Sequence, residues 1–249
     1  MGDIAIIALF FAGVAAGLIN TFAGGGPILT LMALTLVGID PRIANLTSTV
    51  ALWPGQLLTG RSAWLSRADA IRLSAAPIAI AVIGGATGAA LLVITPSHQF
   101  GRIVPWLVLF ATLAYLLAPR QQREMASSAS RAQLPRAVLV MLIPLSIYGG
   151  FFGGGNSFLL LALLSWAAVT GKPANAAKNA LVAVINGAAA AVFIAAGTVA
   201  WAAALPLAAG NIAGSLIALR FLDKVSAGAL RWIVIVSGLA LAAILFARA

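Results

Sequence analysis

Asn20-Thr21-Phe22-Ala23-Gly24-Gly25-Gly26-Pro27-Ile28-Leu29 sets three consecutive glycines and a proline inside a run, Ile4 to Ile39, that carries no charge. Glycine and proline together interrupt a helix. The interruption leaves backbone N–H and C=O groups unpaired in an apolar stretch, which hydrocarbon tolerates only where the broken backbone lines a protected cavity. Phe151-Phe152-Gly153-Gly154-Gly155-Asn156-Ser157-Phe158 repeats the device in the second half of the chain. These two breaks decide how the remaining segments are read.

The surrounding chain is membrane-like. Of its 249 residues 62% are hydrophobic and 8% charged, and the mean hydropathy is +1.08. Charge-free runs extend from Ile43 to Gly60, Leu73 to Gly101, Ala137 to Gly171 and Asn179 to Leu219. A span needs about 20 apolar residues, so the chain reads as a polytopic helical membrane protein. The net charge of +10 does not indicate nucleic acid, because the basic residues sit between the apolar runs and report topology. There are no cysteines, which removes disulfides and thiolate metal sites. Asp3 precedes the first apolar stretch and no cleavage pattern follows, so that stretch is read as a membrane segment and not a signal peptide.

Residues 3–37 are too long for one span and are expected to enter and return as a broken hairpin. Spans are predicted over 43–60, 70–94 and 100–118, completing an N-terminal repeat, 1–118. Residues 119–136, with Arg120, Arg123, Glu124 and Arg131 among serines, form a polar linker. The C-terminal repeat, 137–249, follows the same scheme: a broken hairpin over 137–169, then spans over 175–197, 199–220 and 227–247. Ala44, Thr47, Ala51 and Gly55 align at one offset with Ala176, Asn179, Ala183 and Gly187, and Pro41 matches Pro173. Gly84-x-x-x-Gly88 has a counterpart in Gly210-x-x-x-Gly214, a spacing that also serves plain helix packing.

Basic residues orient the chain. With the loop at 61–72 inside, Arg61, Arg67, Arg72, Arg120, Arg123, Arg131, Arg136, Lys172, Lys178, Arg220, Lys224 and Arg231 are cytoplasmic, against Arg42, Arg102 and Arg248 outside. Both termini are then outside, the linker is cytoplasmic, and the protein belongs in a cell (inner) membrane. The first broken hairpin starts and ends outside and the second inside. The expected fold is therefore all-α, with two inverted-topology repeats, each a broken helical hairpin plus three full transmembrane helices. Inverted repeats with discontinuous helices are a transporter architecture.

Two glycine triplets, the Ala44-Asn45-Leu46-Thr47-Ser48-Thr49 stretch and its counterpart Ala176-Ala177-Lys178-Asn179-Ala180 resemble the sulfite exporter TauE/SafE family over nearly the whole chain. The resemblance implies transport of small sulfur-containing or organic anions such as sulfite, thiosulfate, sulfonates or sulfoacetate. This chain carries Asn179 where its first half has Thr47, and Asn156 where the first half has Pro27, so the halves need not contribute equally to a site.

Anion chemistry also follows from the residues themselves. A helix that restarts after a glycine break presents free N–H groups and its positive dipole end. Two such N-termini converging in the membrane form an anion site without buried formal charge. The candidate substrate-binding residues are Gly24, Gly25, Gly26, Asn45, Thr47, Ser48, Gly153, Gly154, Gly155, Asn156, Ser157, Lys178 and Asn179. Structural readings stand beside these: glycines for tight helix crossing, hydroxyls bonded back to helix carbonyls, and Lys178 as an inner-surface anchor. Asn20, Gln56, Asn186 and Asn211 lie in apolar runs and need partners, whether other helices or a ligand. The six tryptophans, Trp53 included, read as interfacial belt residues, and His98 as an incidental loop residue.

All five carboxylates, Asp3, Asp40, Asp69, Glu124 and Asp223, fall at segment ends or in loops. The usual carboxylate proton relay of pumps is therefore missing. The same gap argues against an enzyme, and no cofactor or metal is called for. The function expected is a secondary transporter working by alternating access around the two glycine breaks. The alternative is a passive channel for a small anion or neutral solute. Partners are the anion and the lipid bilayer, without nucleic acid, and a homodimer is left open.

Overall fold

The computed structural model describes residues 2–22, 24–65, 74–117, 134–167, 169, 171–220 and 227–248. Most of the expected linker, the basic residues at 67 and 72, and Asp223 and Lys224 lie outside the described residues. Ten helices make up the described chain: α1 (Asp3–Phe22), α2 (Gly26–Leu36), α3 (Pro41–Leu65), α4 (Ala75–Ile94), α5 (Ser97–Leu117), α6 (Arg136–Phe151), α7 (Asn156–Trp166), α8 (Gly171–Ala195), α9 (Trp201–Arg220) and α10 (Ala227–Arg248). The protein is all-helical, and four helices, α1, α4, α8 and α9, are long and apolar enough to cross a membrane.

Each glycine break separates a long helix from one of 11 residues, α2 and α7. At 1.5 Å per residue these short helices are about 16 Å long, roughly half of a hydrocarbon core about 30 Å thick. Gly26 and Asn156 are the first residues of α2 and α7, so α2 opens on the last glycine of its triplet and α7 on the residue after its own. The turn after α2 is closed by chemistry that the sequence advertises. Gly38 takes φ +89°, and the Asp40 carboxylate accepts the N–H groups of Arg42 (2.9 Å) and Ile43 (3.3 Å), capping α3. Arg42 in turn donates to the carbonyls of Leu92 (3.1 Å) and Val93 at the end of α4.

Helix α3 is central. It packs on α1, α2, α5, α8 and α9 and buries Asn45, Thr47, Ser48, Thr49, Gln56 and Thr59. A helix enclosed in this way can be polar along its length, which is why it falls outside the four apolar spans. The amides expected to need partners have them in part: Asn186 donates to the Gln56 side-chain Oε1 at 2.8 Å, joining α8 to α3, and Asn211 donates to Leu52 O at 2.9 Å, joining α9 to α3. Trp53 departs from the expected belt. It is half-buried between α3 and α8 and donates to Ala183 O at 3.1 Å, whereas Trp106, Trp166, Trp201 and Trp232 are exposed.

The main packing contacts pair up when α1–α5 and α6–α10 are exchanged, although the contact of α3 with α5 has no counterpart of similar extent between α8 and α10 among the described residues. Helix α1 lies on α9 as α6 lies on α4, α3 on α9 as α8 on α4, and α10 on α2 as α5 on α7, with α3·α8 and α5·α10 pairing across. Backbone-to-backbone approach makes the first of these contacts. A Cβ at Gly13 would fall on Leu207 O, and Cβ atoms at Gly210 and Gly214 would fall on the carbonyls of Phe10 and Val14. In the α4–α6 contact a Cβ at Gly88 would fall on Ile147 O, and one at Gly150 on Gly85 O. Close approach of this kind is how helices associate where lipid removes the hydrophobic drive.

Replacing Gly210 by leucine should therefore part α1 from α9 and destabilise the protein by about 1–3 kcal/mol, as overpacking does. Gly101→Ala in α5, where a Cβ meets nothing within 4 Å, should instead stabilise by roughly 0.5–1 kcal/mol. Thermal unfolding of both variants in one detergent checks the pair. Equal midpoints would show that the glycine contacts do not hold the helices.

Candidate functional site

Helix α1 ends at Phe22 because Gly24, at φ +81°, turns the chain into a conformation open to glycine and strained for other residues. Its N–H still reaches back to Ile19 O at 3.1 Å. Helix α6 ends similarly: Phe152 and Gly153 both donate to Tyr148 O (2.9 and 3.4 Å), and Gly155 at φ +76° stands before α7. The two turns touch. A Cβ at Gly24 would fall on the Cβ and hydroxyl of Ser157, the second residue of α7. The first break is thus seated on the N-terminal turn of the second half-helix.

One face of α3 serves both breaks. Asn45 donates to Phe151 O at 3.0 Å, at the end of α6. Ser48 shares a 2.5 Å hydrogen bond with Thr30 in the first turns of α2, and Thr30 also donates to Gly26 O and Pro27 O. Thr49 Oγ1 lies 3.9 Å from where a Gly153 Cβ would be. Residues 45, 48 and 49 are spaced i, i+3, i+4 and so share a face. Thr47 points elsewhere: its hydroxyl accepts the Ala200 N–H at 3.1 Å, before α9. Opposite, the Tyr148 hydroxyl donates to Gly154 O at 2.7 Å, closing the second turn.

Two polar side chains stand out for what they lack. Asn156, the first residue of α7, is 1% exposed, and neither its amide nitrogen nor its oxygen has a hydrogen-bond partner among the described residues. It occupies the space left by the missing side chain of Gly149. Lys178 in α8 is 0% exposed with its ammonium unpartnered, and it is the single buried charged side chain among the described residues. A residue with no exposed surface is not a surface anchor, so that reading of Lys178 fails. A lone buried ammonium is costly by several kcal/mol unless a counter-charge or water reaches it.

The structure brings together Gly24 and Ser157 and sets Asn45 and Ser48 on the chain around the breaks. It does not bring Thr47 or Asn179 to either turn. Asn179 is half-buried, and its carbonyl faces Gly60 near the far end of α3. Thr30 and Tyr148 were not singled out from sequence. The only available signal was spacing, since each stands one helical turn from a glycine triplet. Hydrogen-bond donors converge on this region, and no carboxylate of the described residues does: Asp3 and Asp40 are both exposed.

Comparison with known proteins is consistent across most of the chain. The "Probable membrane transporter protein YfcA" of Escherichia coli (strain K12) is 30% identical over 247 residues, covering 96% of this chain and 88% of the relative. The "Probable membrane transporter protein ORF9" of Sinorhizobium sp is 30% identical over 240 residues, covering 94% and 89%. A "Probable membrane transporter protein" of Haemophilus influenzae is 28% identical over 214 residues, covering 83% and 81%. No solved structure matches. The profile of the family described as "Sulfite exporter TauE/SafE" matches residues 9–245, and the chain accordingly belongs to that family of membrane transporters.

Proposed function

We propose that this membrane transporter carries small sulfur-containing anions (sulfite, thiosulfate, sulfonates or sulfoacetate) by alternating access around the two glycine breaks. The observation that carries the reading is the contact of Gly24 with Ser157, which joins the two breaks. An anion near that contact would meet the free N–H groups of a half-helix N-terminus and the unpartnered Asn156 amide; Lys178, buried in α8 with its ammonium uncompensated, is proposed as the counter-charge. Three oxygens on a sulfite or sulfonate head suit donors arriving from several directions. The substrate-binding set is Gly24, Gly25, Gly26, Asn45, Ser48, Gly153, Gly154, Gly155, Asn156, Ser157 and Lys178, with Thr47 and Asn179 in outer positions.

In this reading the halves, 1–118 and 137–249, are inverted repeats. The main packing contacts, which pair up on exchange of the two sets, support that, as do matched helix lengths: 25 residues in α3 and in α8, 20 in α4 and in α9. The distribution of basic residues supports an inner-membrane orientation with both termini outside and the linker 119–136 in the cytoplasm. Alternating access is then rocking of one repeat against the other around a fixed site, and the protein transports without performing catalysis.

Trans-stimulated counterflow of labelled sulfite or sulfoacetate into proteoliposomes tests the carrier. Uptake without trans-stimulation, together with high unitary conductance, would identify a passive pore instead. Gly24→Ala adds a methyl that collides with Ser157 at a backbone conformation hostile to L side chains. It is expected to lower transport at least tenfold while the protein still reaches the membrane, and wild-type rates would remove the breaks from the site. Lys178→Gln should leave thermal stability equal or higher, because an unpaired buried charge is lost. It should weaken anion binding by about ten- to a hundredfold, the value of one charge-assisted hydrogen bond. A thermal-shift titration with sulfite, thiosulfate, sulfoacetate, taurine and non-sulfur carboxylates reads both effects. Preference for the carboxylates would overturn the substrate class.

A further inference from the structure

We infer that the groove between α3 and α8 is a binding site for an anionic phospholipid, with an acyl chain between the helices and the phosphate on Arg61. The groove encloses about 420 Å³, lined on one side by Trp53, Leu57, Gly60 and Arg61 and on the other by small residues including Ala183 and Gly187. Small residues bring the two helices close along it. The absent Cβ of Gly60 would lie 3.2 Å from that of Ala183, and Trp53 covers Gly187. The indole N–H is already committed to Ala183 O at 3.1 Å, so the wall offers a ligand apolar surface.

Arg61 is the exception. It is exposed, and it lies two helical turns beyond Trp53, about 12 Å along the axis. The only carboxylates among the described residues are Asp3, at the start of α1, and Asp40, at the opposite end of α3 from Arg61. A guanidinium at the mouth of an apolar slot matches a phosphate, which it can grip with two N–H groups. The slot below it matches a lipid tail. Basic pockets between membrane helices take anionic headgroups for this reason.

Other occupants fit less well. A small hydrophilic anion would find one cationic side chain and otherwise apolar walls. A second copy of the chain, packed about a two-fold axis through this groove, would set Arg61 facing its own image without an acid between them. Leu57, 45% exposed on a membrane helix, leaves the slot open to lipid. Helices α3 and α8 hold equivalent places in the two sets of five helices, so a lipid wedged there bears on how the sets move against each other. The inference does not depend on which anion is transported.

The test uses the delipidated full-length protein in a neutral detergent, with thermal unfolding and native mass spectrometry as readouts. Dioleoyl phosphatidylglycerol should raise the unfolding midpoint by several degrees more than dioleoyl phosphatidylcholine and stay bound as a discrete adduct. Glycerol phosphate, which has the headgroup charge without tails, should give no shift. Arg61→Gln, on an exposed residue, should leave the lipid-free midpoint unchanged and weaken retention of phosphatidylglycerol about tenfold, to the level of phosphatidylcholine. Leu57→Trp, filling the mouth of the slot, should reduce retention of both lipids. Equal effects of the two lipids on the wild type, or a preference that survives Arg61→Gln, overturns the site. A shift produced by glycerol phosphate alone assigns Arg61 to free phosphate and overturns the lipid. A dimer without lipid adducts assigns the groove to a second copy and overturns it too.

Discussion

A helix that breaks within an apolar stretch needs something to receive the backbone groups it exposes, and this protein breaks two. The receivers are one polar face of α3, the neighbouring turn, and a tyrosine. Asn45 donates to Phe151 O, the last carbonyl of α6, Ser48 meets Thr30 at the head of α2, and the Tyr148 hydroxyl donates to Gly154 O. Asn45 thus serves the second break from another helix, whereas at the first Thr30 of α2 donates to Gly26 O and Pro27 O and Ser48 of α3 holds Thr30. That is why α3 must be enclosed, and why the five helices that touch it are arranged as they are.

Enclosing a polar helix requires close neighbours, and lipid supplies no hydrophobic push to bring helices together. Glycine supplies the proximity instead. Carbonyls of Phe10, Val14, Leu207 and Ile147 lie where Cβ atoms would otherwise be, so α1 meets α9, and α4 meets α6, at backbone distance. The glycines of this chain consequently do two kinds of work. Those at positive φ, such as Gly24 and Gly155, make turns, and those inside helices make contact.

Much of the architecture was legible because it rests on long-range composition. Charge-free runs, the two triplets and the Gly-x-x-x-Gly pairs predict broken helices and tightly packed ones, and an all-helical membrane protein follows. What periodicity could not resolve was direction. Thr47, Ser48 and Thr49 are consecutive hydroxyls with equal claims in the sequence, yet only 48 and 49 share a face with Asn45, while Thr47 turns to Ala200. Trp53 looked like a belt residue because tryptophan usually is one, and small residues on α8 made room for it instead. Lys178 follows the same logic. A lysine near the end of an apolar run ordinarily reaches water, and its complete burial depends on tertiary packing that no local pattern records.

The halves match in layout but differ in chemistry, and that difference bears on how an anion would be held. Around the first break the polar groups are hydroxyls that bond to one another: Thr30 with Ser48, and Thr30 with the carbonyls of Gly26 and Pro27. At the second, Asn156 keeps its donor unspent, as Lys178 does in α8. Groups bonded among themselves rigidify a site, whereas unspent buried donors are costly until a ligand arrives. On the transporter reading, the first half supplies the frame and the second supplies the binding energy. On that reading the Gly24–Ser157 contact would let one act on the other, because a movement of the first break would be felt on the helix whose N-terminus is proposed to face the anion.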